Sequence, residues 1–438
     1  MPDPVGVAIA FGDTTLAASP TWTRLDSTDN LVASYSIDRG RSYELDRTGT
    51  GTATIAINDV DVLFDPTNSG SPYFGDIQPL KQAAIALQNP VTSNWLTIFR
   101  GFVEDYDYVL DPSQQVMRLE IQLVDAFDIL ASAEMVADGN WGDDPATATP
   151  PATGNVYYAA DATGPDTRIN HVLDDVGWPA GLRNIFSGNV KVKPVVYSPN
   201  TSALDAIFDA ADAEWPGVSN VYVSKTGLVS FKGRLARFDP TEPTYEITTW
   251  KCGDGDAVAA SISDTAQIRE FRFQRDKNKI INSASATPNQ IADADIPGQL
   301  EQDASSIAAY GMRSWSAENL LTDGGLVSGT TDLVETNKFA IYYVENYKAP
   351  QTRVSQVTFR SLPPGDARAA ALWNLICNIE LSDQLQIDTT HPGGGGFNGV
   401  MYFVDGIHYE VEPATDDYHD VTLTLDVTPA TAYTTNPF

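Results

Sequence analysis

Histidine, the side chain that most often binds transition metals or acts as a general base, is rare in this 438-residue chain. No two of its four histidines stand four residues apart, the spacing that places two ligands on one face of a helix. A Gly-x-Ser-x-Gly nucleophile motif is missing as well. The sequence therefore predicts no catalytic residue, no metal site and no cofactor. The histidines are His171, His391, His408 and His419.

Two short acidic clusters contain enough oxygen ligands to suggest a calcium site. One comprises Asn58, Asp59, Asp61 and Asp65, and the other is the Gly-Asp-Gly-Asp run at 253–256. Calcium needs several oxygens that converge from one loop, and neither cluster has the glycine and distal glutamate of an EF-hand. Because Asp and Asn side chains also form turns with their own backbone, we expect turns at both places.

A third group of carboxylates, Glu104, Asp105 and Asp107, lies among aromatic residues. A glycosidase needs two carboxylates at a fixed separation across a sugar, which a sequence does not reveal. One interpretation is a carbohydrate-binding or wall-degrading surface, and the other is a solvated strand face. Neighbouring carboxylates are common in a chain this acidic, which favours the solvated face. The aromatic residues nearby are Trp95, Tyr106 and Tyr108.

Acidic residues outnumber basic residues by 58 to 27, which gives a formal net charge of −31. Nucleic acids and anionic membranes both attract clustered Lys and Arg, so this balance argues against either as a binding partner. It suits solubility, a basic partner, or a surface past which a polyanion slides without sticking. With no run of about 20 apolar residues, we expect no membrane insertion. Cys252 and Cys377 are too few for a disulfide framework, and we expect two buried free thiols.

Alternating and β-branched segments predict a β-rich first part of the chain. We expect strands at 52–58, 82–87, 96–108 and 117–123, with a short helix inside 125–132. From 138 to 166 the chain is rich in Pro, Ala, Thr, Gly and Asp and has no Lys or Arg. This composition predicts a linker or a long loop.

The remainder predicts a mixture of helices and strands. Ser202 with Asp205 three residues later is an N-cap signal for a helix at 202–215, and Gly227 suits a hairpin between 220–224 and 228–232. The glycines at 393–396 are not followed by Lys-Ser/Thr, so they predict a loop over 391–399 and not a phosphate site. The other expected helices are 166–176, 304–310, 332–347 and 366–379, and the other expected strands are 353–360, 385–388, 401–411, 421–427 and a pair at 268–274 and 279–286.

A dense charged run is the best candidate for contacts in an assembly. It comprises Arg39, Arg41, Glu44, Asp46 and Arg47. A solvated loop is one interpretation. Because cations are scarce in this chain, three arginines so close together suggest acidic partners, in this subunit or in a neighbouring one. The loops at 138–166 and 391–399 are second candidates for such contacts.

The order of several short strings resembles a known family. They are SIDRGRSYELDR (36–47), GTATI (51–55), NDVDVLFDPTN (58–68), LTIFRG (96–101), SSIAAYGMR (305–313) and VDGIHYEV (404–411). In this order the strings resemble the minor tail proteins of long-tailed phages that infect actinobacteria. Within that group the chain is similar to the baseplate hub, or tail-associated, protein.

The resemblance implies an α+β, mainly β fold with four parts. Two tail-tube-like β-barrel or split-barrel domains would occupy 1–137 and 246–438. A linker would occupy 138–167, and a small α+β domain 168–245. Three copies with two similar domains each would form a ring that can meet a six-fold ring. Such hubs sometimes carry an appended enzyme or receptor-binding domain, and we expect none after the last hub-like strand of this chain.

The function that the resemblance implies is structural and not enzymatic. It is a homotrimeric hub at the tail tip of the virion, assembled in the host cytoplasm. Its implied partners are the distal tail protein ring, the tape measure protein and downstream tip or fibre proteins. DNA would pass through the lumen without specific binding, since an acidic lumen repels phosphate. The alternatives are a carbohydrate-binding or wall-degrading tail-tip protein, and the hub of a gene-transfer agent or contractile injection system.

Overall fold

The computed structural model of the protein describes residues 6–25, 32–59, 62–111, 116–135, 156–158, 164–198, 200–289, 299–322, 334–391, 393–413 and 418–433. This part of the chain is mainly β, with 22 strands and eight α-helices. The predicted α+β, mainly β fold class is therefore confirmed. None of these helices combines the length and the apolar character needed to cross a membrane.

The first strands form what we call the N-terminal unit, β1 to β7. A short helix, α1, follows it and is capped by Asp125, whose carboxylate accepts from the Phe127 amide at 2.9 Å. The elements are β1 (Val7–Ile9), β2 (Thr23–Arg24), β3 (Val32–Gly40), β4 (Gly49–Asp59), β5 (Gln82–Gln88), β6 (Trp95–Asp111), β7 (Val116–Val124) and α1 (Ala126–Ser132).

The central region, β8 to β12 with α2 to α4, is a small α+β layer. Ser202 caps α3 as predicted, since its Oγ accepts from the Asp205 amide at 3.1 Å. The predicted hairpin is also present as β11 and β12, with Gly227 at a φ of 82° in its turn. The elements are β8 (Val156–Tyr158), α2 (Pro165–Asp175), β9 (Arg183–Ile185), β10 (Val195–Tyr197), α3 (Ala203–Asp212), β11 (Asn220–Val223), β12 (Val229–Lys232) and α4 (Leu235–Phe238).

The last part of the chain contains a second β unit and an insert. The C-terminal unit comprises β13 to β15 and β19 to β22, and the insert comprises β16 to β18 with α6 and α7. The elements are β13 (Thr249–Gly253), α5 (Gly255–Ala260), β14 (Thr265–Gln267), β15 (Glu270–Gln274), β16 (Ser283–Pro288), β17 (Gln299–Gln302), α6 (Ala304–Tyr310), β18 (Ser314–Leu320), α7 (Glu335–Tyr347), β19 (Arg353–Arg360), α8 (Ala369–Asn378), β20 (Gln384–His391), β21 (Gly395–Pro413) and β22 (His419–Pro429).

The two units repeat one strand order. In the N-terminal unit the neighbours run β3-β4-β7-β6-β5-β1, and in the C-terminal unit they run β15-β19-β22-β21-β20-β13. The long strand β6 pairs with β5 along its first half and with β7 along its second half. The long strand β21 likewise pairs with β20 along its first half and with β22 along its second half. One difference is that β1 is antiparallel to β5, whereas β13 is parallel to β20.

Fine backbone details repeat as well. The second-half ladders have bulges at matching places, between Val103 and Asp105 in β6 and between Val404 and Gly406 in β21. Just before β5 and β20, Leu80 and Ser382 have φ values of 62° and 72°. Their amides donate to the carbonyl oxygens of Val103 and Val404 at 2.7 and 2.9 Å. Positive φ is uncommon for residues other than glycine, so these matches indicate an internal duplication.

One sheet runs through both units, because β3 pairs with β21. The main hydrophobic core follows this sheet and includes Ile37 and Ile55 of one unit and Tyr409 and Leu423 of the other. A second core lies between α1, α2, α3 and the strands of the central region, and a third between α7, the insert and Trp215. The division into the four predicted parts remains a prediction, while the sheet itself is continuous from one unit to the next.

Local predictions are wrong at three places. The expected strand pair at 268–274 and 279–286 does not form, because β15 pairs with β19 and β16 pairs with β17 and β18. The expected loop at 391–399 is mostly a tight hairpin, since β20 ends at His391 and β21 begins at Gly395. Most of the predicted linker at 138–166 lies outside the described residues. Where the range is described, the prediction is wrong, because 156–158 form β8, which pairs with β10, and α2 begins at Pro165.

Candidate assembly interface

The pairing of β3 with β21 joins the two units, and we call it the junction. It runs antiparallel from Gly40 opposite Gly406 to Tyr35 opposite Val411. Gly40 has a φ of +98°, and a Cβ there would lie 2.2 Å from the carbonyl oxygen of Asp405. Glycine is therefore required where the strand turns away. The charged run 39–47 starts at this point and continues through the loop to β4.

A buried cluster of charges surrounds Asp405 at the junction. Arg41 reaches its Oδ1 at 3.0 Å, and Arg237 reaches the same oxygen at 2.6 Å. Thr428 donates its hydroxyl to the other oxygen. Burial alone would raise the pKa of Asp405, but the two guanidinium groups outweigh it and lower the pKa to about 2. Arg41 also donates to the carbonyl oxygen of Gly217 at 3.1 Å, which ties the central region to both units.

Arg39 makes a second connection across the junction. Its guanidinium donates to Glu380 at 2.6 Å and to the carbonyl oxygen of Val223 in β11 at 2.8 Å. Glu380 also accepts from the Lys225 amide at 2.7 Å. Burial would raise the pKa of Glu380, but Arg39 and Lys225 lower it. The N-terminal unit, the central region and the C-terminal unit therefore meet at one ion pair, in which Arg39 is buried and Glu380 is 19% exposed.

Glu44 makes a third connection. The side chain is buried and binds Arg353 of β19 at 2.6 Å and Lys279 at 3.2 Å. Arg47 is 47% exposed and binds Asp212 and Asp209 of α3 at 2.6 and 3.4 Å. Such exposed pairs contribute little to stability, whereas buried charges need their partners.

The five interface candidates therefore divide by burial. Arg39, Arg41 and Glu44 are buried inside one subunit, so they are not parts of a solvated loop. Asp46 and Arg47 are exposed, and the carbonyl oxygen of Asp46 accepts from Arg41 at 2.8 Å. The acidic partners of all three arginines lie in this chain. Contact of the charged run with a neighbouring subunit remains a prediction. Asp46 and Arg47, the exposed members of the run, are the residues that can make such a contact.

Sequence reasoning gave no role at the junction to Asp405, Arg237, Glu380 or His408. His408 of β21 lies between Asp38 of β3 at 3.2 Å and Asp426 of β22 at 2.8 Å. Hydrogen bonds to these two carboxylates raise the pKa of His408 to about 10. The strand β3 was missed too, although Ser34 to Asp38 alternates polar and apolar residues. That alternation was the available signal.

The other sequence candidates form ordinary structural contacts. Asp59 accepts from the amides of Leu63 and Phe64 at 2.9 and 2.7 Å, and Asp65 accepts from Thr67 at 2.7 Å, so both form turns. Asp61 lies outside the described residues. Within the described part of the chain, no three His, Cys, Asp or Glu side chains are grouped to hold a metal ion.

In the second acidic cluster, Asp254 accepts from the Ala257 amide at 3.1 Å and thereby caps α5. The two cysteines, Cys252 and Cys377, are buried and unpaired with each other, as predicted. His391 stacks on Phe271 and Phe273.

The aromatic residues near the third acidic group do not form an open platform. Tyr106 is buried, and the guanidinium of Arg24 lies 4.9 Å over the Trp95 ring. Glu104, Asp105 and Asp107 are exposed along β6. This arrangement favours the solvated strand face over a carbohydrate-binding surface.

No protein-family model and no curated protein sequence matches this chain. Solved structures do match it over nearly its whole length. The tail protein from Neisseria meningitidis MC58 matches with a TM-score of 0.51 and 9% identity, covering 96% of each chain. The 43 kDa tail protein of prophage MuSo2 from Shewanella oneidensis matches with a TM-score of 0.51 and 9% identity, covering 98% of this chain and 99% of that chain. The chain therefore has the fold of phage tail proteins.

Proposed function

We propose that the protein is a structural hub of a phage tail, and that three copies form a closed ring at the tail tip. The observation that carries this proposal is the internal duplication, with two similar β units joined edge to edge in one sheet. The junction joins two similar units by their strand edges. The same kind of edge contact, repeated between neighbouring chains, would build a ring. Three chains supply six such units, which is the number needed to match a six-fold ring.

The rest of the proposal concerns neighbours and location. The ring joins the tail tube and the distal tail protein ring to the tip, and other tip or fibre proteins attach below it. Its lumen gives passage to the tape measure protein and to DNA. The formal charge of −31 supports passage without binding, because like charge repels a polyanion. The same architecture would serve in a gene-transfer agent or a contractile injection system.

The proposed role needs no chemical reaction. Buried ion pairs account for Arg39, Arg41, Glu44 and Asp405, so these groups have structural partners. We expect no clearing in a cell-wall zymogram and no binding on a glycan array. A clear signal in either assay would favour the wall-degrading or carbohydrate-binding alternative.

Negative-stain images of the purified protein test the proposal. We expect class averages of a ring with a central hole and six lobes related by three-fold symmetry. Particles without a hole, or with a number of lobes that is not six, would refute the proposed ring. The images should be taken from a single chromatographic peak, so that aggregates do not contribute to the averages.

A further inference from the structure

Among the strand edges that the described residues leave open are the edge of β15 in the C-terminal unit and the edge of the second half of β6 in the N-terminal unit. The edge strand β15 of the C-terminal unit has β19 as its one strand neighbour. The second half of β6 pairs with β7 on one side, and its pairing with β5 ends at Phe102. Open edges present unpaired amide and carbonyl groups, which are a ready template for another strand.

The duplication shows what each edge corresponds to. Aligning the bulges places β6 on β21, so that Glu104, Asp105 and Asp107 take the places of Asp405, Gly406 and His408. Aligning the ladders with β4 and β19 places β15 on β3. In this second alignment Arg272, Phe273 and Gln274 take the places of Ser36, Ile37 and Asp38.

The open edge of β15 in the C-terminal unit is therefore equivalent to the edge of β3 in the N-terminal unit. The open edge of β6 in the N-terminal unit is equivalent to the edge of the second half of β21 in the C-terminal unit. Inside the chain, the edges of β3 and β21 are joined in the junction. The equivalent edges of β15 and β6 are left open.

The two open edges carry opposite charges. The exposed cations Arg269, Arg272, Arg275 and Lys277 lie within nine residues at β15, although the whole chain has 27 cations. The open half of β6 presents Glu104, Asp105 and Asp107, all exposed. Complementary charge of this kind directs association and fixes register.

Exposed apolar side chains mark the same edges. Phe273 is 50% exposed, whereas Ile37, which holds the equivalent place in the junction, is 2% exposed. Val109 of β6 is 59% exposed. A neighbouring strand would cover both side chains, as the junction covers Ile37.

We infer that β15 of one copy pairs antiparallel with the second half of β6 of the next copy, in the register of the junction. Gln274 then lies opposite Asp107, as Asp38 lies opposite His408, and the cations around β15 run along the acidic edge of β6. Each copy has one β15 edge and one β6 edge, so the contact is heterologous. An assembly built from heterologous contacts is closed only when it forms a ring. This inference rests on the proposed ring and specifies its contact surface.

Disulfide cross-linking between two single-cysteine variants tests the register. Asp38 and His408, the junction equivalents, are directly paired across the ladder, so cysteines at 274 and 107 will face each other. We expect a mixture of the D107C and Q274C variants to give a covalent dimer on oxidation. Because the two cysteines are on different chains, a link between positions 107 and 274 is always a link between two copies. The matched control is D107C with E270C, displaced by four residues or about 13 Å along the strand. The natural cysteines are buried.

A charge swap tests the electrostatic attraction between the two edges separately. E104K adds a cation to the acidic edge and K277E adds an anion to the basic edge, and we expect each variant to raise the concentration needed for assembly by about tenfold. The combined variant restores opposite charges, and we expect it to recover the wild-type mass. Both residues are exposed, so the variants will fold.

The outcomes separate this inference from the proposed ring. A trimer by light scattering that shows no 107–274 link, or that links 107 to 270 equally well, overturns the inference and leaves the ring standing. A chain that stays monomeric at every concentration and forms no link overturns both.

Discussion

Replacing Asp405 by Asn should destabilise the subunit more than any exposed ion-pair variant. The change keeps the size of the side chain but removes the charge that Arg41 and Arg237 share at 3.0 and 2.6 Å. Both guanidinium groups are about as buried as Asp405 itself, which is 3% exposed. Removing one partner from a buried charge cluster leaves the others uncompensated, at a cost of about 3–5 kcal/mol.

The pH dependence measures one part of this loss, the stability that depends on the negative charge of Asp405. The pKa of Asp405 falls from an ordinary 3.8 to about 2 in the folded chain. A lowered folded-state pKa contributes stability above the unfolded pKa and loses it as pH falls through the folded value. A shift of this size corresponds to about 2 kcal/mol. The stability difference between wild type and D405N should therefore shrink by about that amount between pH 5 and pH 2.

Urea unfolding followed by tryptophan fluorescence measures both effects, at matched protein concentration because assembly adds stability. The control is D420N, the same substitution in the Arg360–Asp420 pair, whose side chains are 56% and 34% exposed. We expect D420N to cost less than about 1 kcal/mol. If D405N and D420N lose equal stability at pH 7, the buried cluster does not hold the junction and the reasoning is refuted.

Three further predictions concern the junction and the thiols. H408N should cost about 1 kcal/mol of stability below pH 6.5. This loss should fade toward pH 10, because the flanking carboxylates raise the folded-state pKa of His408 from 6.5 to about 10. A loss of stability in urea unfolding that does not change with pH would contradict this prediction. Cys252 and Cys377 should not react with a thiol reagent until denaturant is added, since burial raises the pKa of both thiols; rapid labelling of the native protein would show that one is accessible. G40A should lower stability by more than about 2 kcal/mol, because its methyl group would meet the carbonyl oxygen of Asp405 at 2.2 Å; an unchanged unfolding midpoint would mean that the strand can move aside.

Local signals in the sequence were sufficient for many elements. The Ser202 cap, the Gly227 turn and the alternation at 117–123 each depend on neighbouring residues, and each predicted element is present. The helix at 304–310 and the strand at 353–360 have the predicted bounds. Such elements follow from periodicity and capping, which a single sequence reveals.

Pairing between distant segments could not be predicted in the same way. The turn at Lys277–Lys279 suggested a hairpin, but β15 pairs with β19, about 80 residues later, across the whole insert. The partners of Arg39 and Arg41 lie more than 300 residues away, at Glu380 and Asp405. The scarcity of cations predicted acidic partners for these arginines, but only the fold identifies which carboxylates they bind.

The duplication was beyond sequence reading for a similar reason. The two units share strand order, bulges and the left-handed residues Leu80 and Ser382, which are properties of the backbone. Few side chains repeat, since β3 reads Ser-Tyr-Ser-Ile-Asp where β15 reads Glu-Phe-Arg-Phe-Gln. A pleated sheet tolerates many side chains at one position, so backbone similarity persists where sequence similarity does not.

The mass of the purified protein in solution, measured by light scattering, tests the ring most directly. The account predicts one species of about 142 kDa, three times the chain mass of 47.3 kDa. The E104K variant should need an about tenfold higher protein concentration to reach that mass. A single species at the mass of one chain at every concentration would contradict it.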